Sequence, residues 1–246
     1  MRRGLLLKVS FLLLLLVTLV FLLMFLFGRS NGGAEDKSFF EQFVLSGGPI
    51  VWFILIPMSV AAVYLALEYA MTIRRPRLLP AGIAEEIISR IERGGLEKLK
   101  DEIGEKDDLV SISVFKAVSC CKGDWFRMRS IVDESLQEQT LVLIKWIEWI
   151  NLIGNVSPMV GLFGTVFGMI KLFNAIVVSG GQPSPVQLAD GISVALVTTF
   201  WGLLIAIPAL AVHGIFRNRI DTLVNEAVAK AEDILPTIRE IIQKKV

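Results

Sequence analysis

The sequence predicts an all-α polytopic membrane protein with three core transmembrane helices, a further N-terminal apolar segment and a cytoplasmic helical domain. Three observations carry that prediction. Four apolar stretches, Leu5–Phe27, Ile50–Met71, Ile150–Phe173 and Gly191–Phe216, each reach the ~20 residues that a helix needs to cross a bilayer. The composition, 54% hydrophobic against 20% charged with a mean hydropathy of +0.64, lies outside the range of soluble domains. The remaining apolar residues recur at helical spacing, and nowhere do they alternate as in a half-buried strand.

In chain order, residues 1–34 open with Arg2, Arg3 and Lys8 around a leucine-rich run. This reads either as a signal peptide or as an uncleaved anchor, because the run is long and Gly28-Arg29-Ser30-Asn31 offers no small-x-small cleavage site. Residues 35–75 hold a periplasmic lead-in and the second apolar stretch. Residues 76–143 form the one sizeable polar region. There Ile83, Ile87, Ile88 and Ile91 mark an amphipathic helix bounded by Gly94-Gly95, and Leu109–Val118 mark another. A third starts near Asp124 and meets no breaker on its way into the membrane. It predicts one long helix reaching Pro158 or beyond. Residues 144–219 contain the last two spans, joined by an outer turn at Gly180-Gly181-Gln182-Pro183-Ser184-Pro185, where Ser184 caps the final helix and Pro185 starts it. Residues 220–246, with Leu223, Val224, Ala227 and Ile234, read as a further cytoplasmic helix ending near Pro236.

Orientation follows from the basic residues, which gather on the cytoplasmic side of membrane proteins. Arg2 and Arg3, then Arg74, Arg75 and Arg77, then Arg217 and Arg219 all fall on one side of the resulting topology, which puts the C-terminus in the cytoplasm. The outer connection from Asn174 to Asp190 has no Lys or Arg.

Charge and motif content exclude several functions. A net charge of +1 provides no field for nucleic acid. The adjacent Cys120 and Cys121 read as reduced packing thiols, since neighbouring cysteines rarely bridge and a zinc site needs more ligands. One histidine rules out a multi-histidine metal site. With no phosphate loop and no nucleophile elbow, the chain reads as neither an enzyme nor a cofactor carrier.

The last two spans carry the most specific pattern. Ser157, Gly161, Gly164, Thr165 and Gly168 fall within an arc of roughly 100° on one helix, as do Gly191, Ala195, Thr199, Gly202, Ala206 and Ala209 on the next. Small side chains allow backbones to approach closely, and hydroxyls supply polar contacts inside the bilayer. By spacing alone, such stripes also describe plain packing surfaces. From Ile150 to Ile220 the one carboxylate is Asp190, which reads as an interfacial or helix N-terminal acid at the outer side. Lys171 reads as snorkelling to the outer interface. His213 continues the stripe toward the cytoplasm and reads first as a packing or interfacial histidine, with a proton relay as the rival. Threonine hydroxyls solvate a carboxylate in either protonation state. If ions pass, the acid that titrates must therefore come from another subunit.

The run Asn155-Val-Ser-Pro-Met-Val-Gly-Leu-Phe-Gly-Thr-Val-Phe-Gly-Met-Ile170 resembles the second core helix of the MotA/TolQ/ExbB proton channel family, on its ExbB and TolQ side. The run Ala189-Asp-Gly-Ile-Ser-Val-Ala-Leu-Val-Thr-Thr-Phe-Trp-Gly-Leu-Leu-Ile-Ala-Ile-Pro-Ala209 resembles the helix that follows it. The resemblance implies a subunit of an energy-transducing channel in the bacterial inner membrane, in which a ring-shaped homo-oligomer, typically a pentamer, surrounds helices of an ExbD- or TolR-like partner. That partner contributes a transmembrane aspartate, and a TonB- or TolA-like protein is a further partner. Thr165 and Thr199 match the family's pore-facing threonines. The chain departs from the pattern at Val194, where ExbB and TolQ proteins usually carry glutamate after Gly-Ile-Ala. A non-conducting membrane scaffold is the competing reading.

Overall fold

The computed structural model describes residues 47–89, 91, 108–120 and 125–245; the predicted N-terminal span and Gly94-Gly95 lie outside these. Among the described residues every regular element is helical. Three helices are long and apolar enough to cross a membrane.

The first, α1 (Gly48–Thr72), opens at Gly48, whose φ of +65° is open to glycine without strain. Its early turn Val51–Leu55 is wound as a π-helix. Pro57 follows two residues after its end and has no N–H to donate to the carbonyl of Phe53, so a widened turn ahead of it accommodates the missing bond. Short α2 (Arg75–Leu78) and α3 (residues 83–89) come next, and then α4 (Leu109–Cys120). Asp108 caps α4 by accepting a hydrogen bond from Ser111 N at 2.8 Å.

Helix α5 (Trp125–Val178) runs without interruption through Pro158, the single long helix that the sequence predicts. Helix α6 (Pro185–Lys245) is likewise continuous. Between them Gly180 and Gly181 take φ of +65° and +90°, and Ser184 closes a capping box with Gln187: Gln187 N donates to Ser184 Oγ at 3.3 Å and Ser184 N donates to Gln187 Oε1 at 3.0 Å.

Two expectations need correction. The C-terminal helix neither starts afresh after Arg219 nor ends near Pro236; α6 passes through that proline to Lys245. Ile234, Leu235 and Ile238 are buried on either side of the exposed Pro236, and their packing outweighs one lost backbone hydrogen bond. Cys120 is exposed at the end of α4 and is no packing thiol; Cys121 lies outside the described residues.

The chain divides into two compact units. The first takes in α1 up to Leu67, α5 from Trp149 and α6 up to Val212. Its core gathers Val51, Leu55, Ala62, Val197 and Ile205, with Ile153, Val160 and Trp201 packed against them. The second takes in the rest of these helices with α2 to α4. Ile83, Ile87, Met128, Leu136, Ile220 and Ile238 are among its fully buried side chains. Its surface carries ion pairs, Arg75–Glu226 at 2.8 Å, Lys116–Glu138 at 2.8 Å and Arg129–Glu232, and Arg239 stacks over Trp125 at 5.8 Å.

Candidate functional site

Inside the first unit, α5 and α6 meet along the two small-residue stripes. A methyl group on Gly168 would lie 2.7 Å from both Ala195 N and Gly191 O, and one on Gly202 would lie 2.7 Å from Ser157 O. Gly161 faces Thr198 O and Gly202 Cα, and Gly191 faces Gly168 O. The glycines thus place backbone directly against backbone, an approach that any side chain would prevent. Ser157 is fully buried; its hydroxyl donates to Ile153 O at 2.6 Å, so no polar group is stranded in the seam. Gly164, Ala195 and Ala206 are buried along the same seam.

Sequence reasoning passed over Thr198, which is fully buried. A methyl group on Gly164 would strike its Cβ and Oγ1 at 2.3 Å, so Gly164 is the recess into which Thr198 fits. The Thr198 hydroxyl donates back to Val194 O at 2.9 Å and Ala195 O at 3.0 Å. The signal was present in the sequence: Thr198 lies seven residues after Gly191 and four before Gly202, on the edge of the same stripe.

Thr165 and Thr199 are placed differently. Both are half-exposed on the flank of the seam. Thr165 Oγ1 donates to Leu162 O at 2.6 Å, and Thr199 Oγ1 donates to Ala195 O at 3.2 Å with Gly161 O at 3.4 Å. With their hydrogens committed to backbone carbonyls, both oxygens offer free lone pairs to a protonated carboxylic acid. Donating to a carboxylate requires each hydroxyl to turn away from its own helix.

Lys171 and Asp190 do not act separately, as the sequence reading had them. They form an ion pair at 2.7 Å between α5 and α6. Asp190 is the sixth residue of α6, beyond the first turn, and the cap is made by Ser184 instead. The sole carboxylate of residues 150–220 is thereby already engaged with a cation. Val194 is 3% exposed and packed inside the chain, where an apolar side chain avoids the cost of an unpaired buried charge. Among the described residues no group of three or more His, Cys, Asp and Glu is arranged to hold a metal ion.

Comparison with known proteins matches residues 86–228, more than half of the chain, to the sequence model of the MotA/TolQ/ExbB proton channel family. The chain is 46% identical over 76 residues to biopolymer transport protein exbB1 of Vibrio cholerae, covering 31% of this chain and 33% of that protein. It is 29% identical over 181 residues to a putative ExbB homolog of Methanothermobacter thermautotrophicus, covering 72% of this chain and 62% of the homolog. It is 34% identical over 94 residues to the Tol-Pal system protein TolQ of Pseudomonas aeruginosa, covering 38% of each. The aligned stretches therefore span less than two thirds of these three relatives.

Proposed function

We propose, because the chain belongs to the MotA/TolQ/ExbB proton channel family, that it is the channel subunit of an energy-transducing motor in the bacterial inner membrane. Copies of the chain form a ring, a pentamer by analogy with the family. The ring encloses the membrane helix of an ExbD- or TolR-like partner, and a TonB- or TolA-like protein carries the work onward. Residues 76–143 and 220–246 lie in the cytoplasm in this reading, and residues 144–219 form the channel core.

One observation carries the proposal. Thr165 and Thr199 sit half-exposed beside a close-packed seam, with oxygen lone pairs to offer, while the one carboxylate nearby is tied to Lys171. Such a wall hydrogen-bonds a titrating acid without owning one. The partner's aspartate supplies the acid, picks up a proton on one side and gives it up on the other, and the threonines stabilise both of its states. Val194 leaves this step to the threonines alone.

The test uses the full chain reconstituted in proteoliposomes with a single-span partner that carries a membrane aspartate, proton uptake being followed with an internal pH dye. Thr165→Val and Thr199→Val should each lower flux about tenfold or more, the effect of about 1–3 kcal/mol for a desolvated acid deprived of a hydrogen bond. Ring size in detergent should stay unchanged. Assembled wild-type rings that pass no protons would sink the channel reading in favour of a non-conducting scaffold.

A further inference from the structure

The chain's single histidine is nearly buried, its side chain 12% exposed. Its Nε2 is fully covered and has no hydrogen-bond partner among the described residues. Such an orphaned ring nitrogen costs stability, and in a native structure it calls for a reason. The nitrogen is aimed at a carboxylate: Glu148 Oε1 of α5 lies 3.7 Å away. That is too long for a hydrogen bond, yet a small side-chain adjustment closes it. Glu148 itself is 46% exposed. One member of the pair is thus sealed and the other reaches solvent. Charged groups that flank the pair along the chain are Lys145, three residues before Glu148 on α5, Arg217, four residues after His213 on α6, and Glu68 on α1 beside Tyr69. Tyr69 of α1 is also near, its hydroxyl donating to Trp146 O and its ring standing edge-on to Phe216 at 6.3 Å. Tyr69 is committed to a backbone carbonyl, and Lys145 and Arg217 are exposed cations.

We infer that His213 and Glu148 form a proton relay at the cytoplasmic end of the apolar span of α6, through which protons leave the channel. A proton enters at Nδ1 of the neutral imidazole. The Nε2 proton then passes to the Glu148 carboxylate, which releases it to cytoplasmic water, and exchange of the Nδ1 proton for one at Nε2 through solvent restores the first tautomer. One proton enters and one leaves, and both groups end as they began. The relay rests on the channel reading, since without flux it has nothing to carry.

The test joins two readouts on the full chain. Selective ¹⁵N-histidine labelling gives one histidine signal, because the chain has one histidine. In lipid nanodiscs that ring should change protonation between about pH 5 and 9, and Glu148→Gln should move the transition. In the proteoliposome assay His213→Gln should lower flux about tenfold and erase its dependence on cytoplasmic-side pH across the histidine range. Glu148→Gln should do the same to a lesser degree, and it carries the test should His213→Gln fail to assemble. A ring frozen in one state across that range, or His213→Gln flux with an unchanged pH profile beside a conducting wild type, overturns the relay and leaves the channel standing. A silent wild type overturns both.

Discussion

Both units of this molecule bury apolar side chains, but their tightest seams and their surfaces differ. In the first, glycines bring the backbones of α5 and α6 against each other, while Phe163, Leu196 and Ile207 are 60% or more exposed. In the second, Met128, Leu136, Ile220 and Ile238 are fully covered and charged side chains pair on the outside. The second pattern is that of a protein in water, where removing apolar surface drives packing. The first is that of a protein in lipid, where hydrocarbon outside is as apolar as hydrocarbon inside and close van der Waals fit decides. One pair of helices, α5 and α6, carries both patterns along its length, and the sequence changes register of chemistry accordingly.

That contrast is open to direct attack. The largest effect is expected in the glycine seam. Gly168→Val drives a branched side chain into the backbone of Ala195 and Gly191 and the Ala195 methyl, none of which can rotate aside. It should cost about 3 kcal/mol or more and abolish the assembled protein in detergent, as size-exclusion would read. Gly164→Ala should be damaging too, and pairing it with Thr198→Gly, which empties the opposing position, should recover much of the loss. Failure of that rescue would mean that the recess does not hold Thr198.

Ile220→Ala probes the water-facing pattern. It removes a fully buried side chain of the second unit and should cost about 2–4 kcal/mol, read as a lower melting temperature. The sign reverses at Gly214, a helical glycine with open space around its missing Cβ. Gly214→Ala should raise stability by about 0.5–1 kcal/mol, so the same substitution that damages Gly164 helps Gly214. Equal effects at both sites would erase the distinction between the units.

The smallest effect belongs to the surface. The hydrogen bond from Lys116 to Glu138 holds the Glu138 carboxyl below its ordinary value and raises the Lys116 ammonium above its own. Glu138 therefore contributes above the unfolded carboxylate value and loses that contribution as pH falls through its lowered folded value. Lys116 contributes in full below the unfolded ammonium value and loses it as pH rises through the raised one. Both groups are solvent-accessible, so Glu138→Gln should shift the neutral-pH melting temperature by no more than about 2 °C while flattening its decline in acid.

Much of this was legible beforehand, for reasons that particular residues make clear. The stripe from Ser157 to Gly168 follows helical spacing, and the long run from Trp125 contains no glycine pair or turn signal to stop it, so both emerged from periodicity. Ser184 and Pro185 mark their boundary by local chemistry alone. What escaped depends on contacts across the fold. Thr198 and Thr199 are adjacent hydroxyls about 100° apart, and only the facing Gly164 decides which one is buried. Lys171 and Asp190 are separated by a turn and an entire helix end, so neither reveals the other. Pro236 has a breaker's reputation that Ile234 and Ile238 override, because they are anchored on both sides of it.

The contact of Gly161 with Gly202 has a mechanical corollary. Where main chain abuts main chain there are no side-chain tips to swing, and no alternative interdigitation one notch along. These stretches of α5 and α6 form a single stiff stave, and any bending of the chain must be taken up elsewhere than along that joint.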